Sequence, residues 1–535
     1  MVLFSLPRSR SKLSLFRSNF CSRRSAQLVS GSTMFLKESK QVGTKRAIVA
    51  SILVLLTVFG PANLSRAQQR VAPDIVNVVA LMVEFQPDSS RFTTGNGTFE
   101  GPLFGDVDSP RIDPLPHDVA YFDAHLRFLE HYINKVSDAR TKVKGTVLPQ
   151  IIRVSHEMGF YSPTGKNSGD DAELVKLATL VKEAWTLAAA NNVKLPAGIT
   201  SDNTAFVLFH AGIGRDIELL GTTLDKTPED LPSLFFGQDA LARLGAGILK
   251  VDGITVSNTL VIPRTESRLG FDFIQEKPFL VELSINGLLA ASFLNYLGVP
   301  DLFNTETGES AIGPFDVMDA LGIFAFGGLF PPEPSAWTKT YMGWADVTTF
   351  QDVTNQAATL RYAGDLDRNE VARVEISDSE YFLLENRHRD PENDGIRMQV
   401  WKDGVTTEVV FPNADPEFND VTIACFEGGV VVGVDQYDFA LPGGEDEFGN
   451  PLVGGLLIWH VDENRLNTRI QTNQVNAEPT ARGLDLEEAD SAQDIGFSSN
   501  SGFFGPRFDL GSPFDFWFAS NPVKVRTTAG REIQL

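Results

Sequence analysis

The sequence predicts an α+β domain over residues 68–350 and a β-rich domain over 351–535, behind a leader at residues 1–67. Three observations carry this. Residues 75–85 form a near-continuous apolar run, the mark of a strand buried on both faces. Two later stretches repeat apolar residues every three or four positions, as amphipathic helices do. From about residue 350 the texture changes to short alternating segments separated by Gly, Asp and Asn turns.

In the leader, Lys45-Arg46 precede residues 47–59, whose only polar groups are Ser51 and Thr57. Gly60-Pro61 and the small-residue site Ser65-Arg66-Ala67 follow. That is a signal peptide with cleavage near Ala67, so the chain is expected to be secreted or periplasmic. A start at Met34 would give a signal peptide of ordinary length. Thirteen residues are short for a bilayer span, and no later segment is long and apolar enough to be one.

The strand at 75–85 is followed by a Gly/Pro/Asp-rich loop over 87–116. Val119, Phe122, Leu126, Leu129, Ile133 and Val136 then form one helical stripe. Residues 143–160 read as strand, 170–190 as a second helix, and 204–209 as another buried strand. A third helix is expected at 284–297. Ser284 is its predicted N-cap, and Ile285, Leu288, Leu289, Ser292, Phe293, Tyr296 and Leu297 form its core face, with Gly298 as its stop. Positions 291 and 295 lie one turn apart on a different face. Residues 380–385, 405–410, 428–434 and 456–459 read as strands of the second domain.

The chain carries a net charge of −23, and the leader contributes eleven Lys/Arg against Glu38, leaving −33 for the remainder. A surface that acidic repels phosphate backbones and anionic lipid heads, which excludes nucleic acid as the expected partner. Cys21 lies in the leader, so Cys425 is alone after cleavage and is expected to be inert in a buried strand.

Seven segments in order carry a resemblance. They are Phe209-His210-Ala211-Gly212, Gly298-Val299-Pro300-Asp301-Leu302-Phe303, residues 312–318 (IGPFDVM), residues 334–344 with Pro334, Trp337 and Trp344, residues 381–387 (YFLLENR), residues 455–463 (GLLIWHVDE) and residues 486–490 (LEEAD). Together they resemble the immune-inhibitor-A-like secreted metallopeptidases, a zincin family. The resemblance implies a zincin-like peptidase domain before the β-rich one, a methionine turn at Met318, and Asp301 at the third zinc-ligand position. It also implies the pattern HExxHxxGxxD, and here the chain departs from it. Ala291, Ser292 and Asn295 stand where the first His, the Glu and the second His belong, and no His lies between 211 and 387.

Catalytic zinc takes about three protein ligands and a water whose pKa falls to around 7. Asp301 alone cannot fix the ion, and an Asn295 amide oxygen is a poor zinc donor beside imidazole. No cofactor is therefore expected at this degenerate site. His156-Glu157 opens like the missing motif but lacks the second His and sits in strand-like sequence. His125 and His131 miss the spacing for a metal pair and are expected on a solvated or partly buried helix face. His210, ending a buried strand, is a candidate for lining a substrate cleft. Calcium is conceivable at the acidic runs 365–369, 390–394 and 443–447, although none has the full set of loop ligands. Three functions fit these residues. One is an exported pseudopeptidase that binds a polypeptide or protein partner in a cleft beside residues 284–297. The second is an active zinc endopeptidase with unorthodox ligands. The third is a structural exported protein.

Overall fold

The computed structural model describes residues 70–535 other than 101–102, 105–109, 165–169, 218–226, 273–276, 351–358, 363–369, 414–416, 421, 446–447, 491, 501–505, 509, 520, 522–523, 527–531 and 535. The leader, the acidic run at 365–369 and part of the run at 443–447 lie outside the described residues.

The fold mixes α and β, as the alternation of buried runs and helical stripes predicts. Strands Ile75–Glu84 (β1), Lys142–Arg153 (β2), Thr204–Ile213 (β3), Leu234–Phe236 (β4) and Thr259–Thr265 (β5) form one sheet in the order β2-β1-β3-β5-β4. Four of these strands run parallel, and β4 is an antiparallel edge. Alternate residues of each inner strand feed opposite faces, because side chains in a strand alternate. Val78, Ala80, Met82, Val207 and Phe209 join the helices Val119–Val136 (α1) and Asn286–Leu297 (α3) in one apolar cluster. Val79, Leu81, Val83, Phe206 and Leu208 pack on the other face with Asp171–Ala190 (α2).

The second half holds two further sheets of more than two strands among the described residues. Asp346–Phe350 (β6), Glu370–Glu375 (β7), Glu380–His388 (β8), Gly454–Asp462 (β12) and Leu484–Leu486 (β13) pair in the order β6-β7-β8-β12-β13. Ile396–Lys402 (β9) lies between Val405–Phe411 (β10) and Val430–Val434 (β11). The short helices Ala336–Tyr341 (α4) and Glu463–Arg469 (α5) flank the five-stranded sheet. The cluster that contains α1 and α3 continues without a break into Leu383, Met398, Val431 and Trp459. Strand β6 starts before the expected boundary at 350 and already belongs to the second sheet.

Away from the helix at Asn286–Leu297 and from His210, three local readings differ from the structure. β2 ends at Arg153, and His156 sits in a turn with its ring stacked 3.9 Å from Phe160, so the strand does not reach 160. His125 is fully buried rather than partly solvated, since it falls on the same stripe as Phe122 and Leu129. Cys425 is buried but lies in a turn. Among the described residues no helix is long and apolar enough to cross a membrane.

Candidate functional site

Helix α3 carries the positions at which the resemblance places a metal. It is buried on nearly every side; from Asn286 to Leu297 only Asn295 and Tyr296 are partly exposed. Gly287 lets the helix approach so closely that a Cβ there would come within 1.9 Å of the Ile323 carbonyl. Gly298 ends the helix as predicted, with φ 97° and its N–H on the carbonyls of Leu294 and Asn295. The other end departs from expectation. The helix begins at Asn286 behind Ile285, and Ser284 accepts only a long bond from the Asn286 N–H at 3.3 Å. Asp113, from a loop 172 positions away, takes the Ile285 N–H at 3.1 Å.

Ala291 is 3% exposed and Ser292 6%, and Ala291 is a member of the main apolar cluster. The face bearing 291 and 295 was expected to differ from the core face. It is core at position 291, because apolar residues surround this helix and such helices are buried whole.

Asn295 and Asp301 are brought together, but as hydrogen-bond partners. The Asn295 Nδ2 donates to the Val299 carbonyl at 3.1 Å and to Asp301 Oδ1 at 3.0 Å. Both partners are acceptors, so the amide must present its nitrogen. The second Asp301 oxygen accepts from Asn473 Nδ2 at 2.6 Å, and Asn473 Oδ1 accepts from the Asp301 N–H at 2.8 Å. Asn473 follows helix α5 in left-handed backbone, φ 55°, and its own carbonyl is held by Thr305 Oγ1 at 2.7 Å. Burial pushes the Asp301 carboxyl up from its ordinary value, and the two amides oppose that shift. Zinc does not fit this arrangement. Ala291 and Ser292 offer no imidazole or carboxylate, and a cation between Asn295 and Asp301 would meet an amide nitrogen that has no lone pair to give.

Met318 is fully buried, and its carbonyl accepts from the Leu302 N–H at 2.9 Å. Two buried acids build its turn. Asp316 accepts from the Met318 N–H at 2.7 Å, and Asp319 accepts from Ala311, Ile312 and Leu321 N–H groups.

His210 does not line an open cleft. It is fully buried, its Nδ1 accepts from the Gly212 N–H at 3.2 Å, and its ring lies 6.0 Å from Phe85. Burial, with the Arg264 charge as a smaller cause, pushes it down to about 3, so it is neutral. His131 bonds the Tyr437 hydroxyl at 2.9 Å, and His460 lies 3.5 Å from Glu380. A cavity of about 200 Å³ opens elsewhere, lined among others by Lys135, Glu333, His388, Asp394 and Arg397, and no residue of α3 borders it.

Of the acidic turns, Asp390 spends both carboxylate oxygens on the N–H groups of Asp394 and Gly395, closing its own turn. Sequence reading missed Asn473, whose bond to Asp301 spans 172 positions, and it missed a trio of acids. Glu488, Asp490 and Asp515 bring one carboxylate oxygen each within 4.8 Å of one another. Glu488 is pushed up to about 8 by burial, while accepting from the Asp494 and Ile495 N–H groups.

Comparison of the chain with protein-family models and with curated proteins gave no match in either case.

Proposed function

We propose that this chain is an exported pseudopeptidase of the immune-inhibitor-A-like zincin type, which binds a polypeptide or protein partner without cleaving it. The observation that carries this reading is the Asn295–Asp301–Asn473 junction, which ties the one remaining ligand-type residue to two amides. With Ala291 and Ser292 supplying neither imidazole nor carboxylate, the site lacks the electrophile and the base that peptide hydrolysis needs.

Strand β4 supports the binding half of the reading. It ends the first sheet, and Phe235 on it lies 6.5 Å, ring to ring, from Tyr296 of α3, with both side chains partly exposed. An extended peptide can add to such an edge through main-chain hydrogen bonds, with the two rings receiving its side chains. Calcium is not needed by this reading.

The test is made on purified mature protein. Metal analysis should find no stoichiometric zinc, unfolded casein should stay intact, and immobilised protein should bind unfolded casein saturably. Stoichiometric zinc with chelator-sensitive cleavage rejects the inactive assignment. Absence of saturable binding, with the protein folded, rejects the partner assignment.

A further inference from the structure

The Asp113 carboxylate and the His125 imidazole face each other inside the core, both fully buried, with Oδ2 3.5 Å from Nε2. The proton on the other ring nitrogen is fixed by a chain of constraints. Asn286 donates its Nδ2 to the Leu329 carbonyl at 3.0 Å and to the Val431 carbonyl at 2.8 Å. Its oxygen therefore faces His125 Nδ1, 2.7 Å away, and Nδ1 must carry hydrogen. That leaves Nε2 pointing at a carboxylate. With no proton between them, a lone pair would face a buried anion, and Nε2 has no hydrogen-bond partner among the described residues.

We infer that Asp113 and His125 together hold a single proton, which keeps the Nε2 lone pair from facing a buried anion and so lets α1, the start of α3 and strand β11 stay packed together. Asp113 also receives Ser284 Oγ at 3.2 Å and the Ile285 N–H at 3.1 Å, while Asn286 reaches β11 through Val431. The surroundings offer no competing titration at neutral pH. His117 gives Nε2–H to the Asp113 carbonyl at 2.9 Å and accepts from Arg264 Nε at 2.9 Å, so it is neutral. Tyr121 donates to the Arg264 carbonyl at 2.7 Å, and its ring lies 4.6 Å from His125. On the exposed side of the loop, Arg111 pairs with Glu282 at 2.7 Å. Strand β11 contributes only apolar side chains and Gly433. Burial pushes Asp113 up and His125 down. Both directions favour a protonated acid opposite a neutral imidazole, which is the one-proton state.

The sign follows from counting protons. Between about pH 4 and 6.5 the unfolded pair also holds one proton, on His125, so the pair adds no pH dependence. Above about 6.5 the unfolded pair holds none, and on this inference the folded pair keeps its one. The folding equilibrium constant then falls about tenfold per pH unit until that proton is lost. Below about 4 the unfolded pair holds two, and stability falls again.

The test compares full-length mature protein with Asp113→Asn, in which the amide supplies the hydrogen permanently. Other raised acids, such as Glu488 and Glu266, add their own alkaline slope, so the readout is the difference between the two proteins. As pH rises above about 6.5 the wild type should lose folding equilibrium constant faster than the variant, by up to about tenfold per unit while the folded pair keeps its proton. Equal slopes overturn the inference. If Asp113→Asn does not fold, ¹⁵N-histidine NMR of the wild type at pH 7.5 decides. A protonated or hydrogen-bonded Nε2 supports the shared proton, and an Nε2 with a free lone pair overturns it.

Discussion

Asn473→Gly separates the hydrogen bonds of the Asp301 junction from everything else Asn473 does. Its backbone is left-handed at φ 55°, which glycine adopts freely, so the variant removes only the side chain. Two bonds are lost, one to Asp301 Oδ2 and one from the Asp301 N–H. Leaving a buried carboxylate oxygen and an amide hydrogen without partners costs about 1–3 kcal/mol each at full burial. Asp301 is only partly exposed to solvent rather than sealed, so the combined loss is expected at about 2–3 kcal/mol. Asn473→Ala should cost about 1 kcal/mol more, because alanine pays for left-handed backbone where glycine does not. The measurement is equilibrium urea unfolding followed by far-UV circular dichroism and tryptophan fluorescence. A double-mutant cycle with Asp301→Ala should return a coupling of at least about 1 kcal/mol. A change for Asn473→Gly within about 0.5 kcal/mol of wild type, the range of neutral surface substitutions, would refute the junction as a stabilising element.

Gly298→Ala should destabilise by about 1–2 kcal/mol in the same assay, since φ is 97°; the Arg70 guanidinium that a Cβ would meet is a flexible group and can move aside. A neutral Gly298→Ala would mean that the helix end is not held in that conformation. Refilling the motif with Ala291→His, Ser292→Glu and Asn295→His together should neither recover zinc nor cleave casein. Ala291 sits in packed core, where added volume typically costs about 1–3 kcal/mol, and the third change removes a donor from Asp301. Stoichiometric zinc with casein cleavage in that triple variant would show that the junction opens into a competent site.

Much of the first half was legible because its signals are local. The apolar run of β1, the stripes of α1 and α2 and the stop at Gly298 each follow from short-range pattern. The start of α3 was not legible, because Asp113 takes over capping from a loop 172 positions away. The burial of Ala291 was legible and overlooked. Leu288, Leu289, Ala290, Ala291, Phe293 and Leu294 surround the helix axis, and a helix apolar on all sides has no free face. His125 was misplaced for a related reason, since it lies between Phe122 and Leu129 on the buried stripe and its polarity concealed its position. Asn473 gave no local signal of its partner. Its position after α5 favours left-handed backbone, but only the fold sets it against Asp301.

Asp301 serves in this structure as a hydrogen-bond acceptor. A metal ligand must present lone pairs to a cation that compensates its charge, whereas Asp301 presents them to N–H groups of Asn295 and Asn473. On the Asn295 side the position facing Asp301 is taken by an amide nitrogen, which has no lone pair to offer a cation. What the amides provide instead is a tie between the end of α3 and the turn after α5, two elements far apart in sequence. The neighbouring residues have matching tasks: Gly298 turns the chain, Leu302 bonds the Met318 carbonyl, and Asp316 and Asp319 hold the Met318 turn. Each of those tasks is packing or hydrogen bonding and none is coordination. Removing the tie should therefore show up in stability and leave zinc content unchanged.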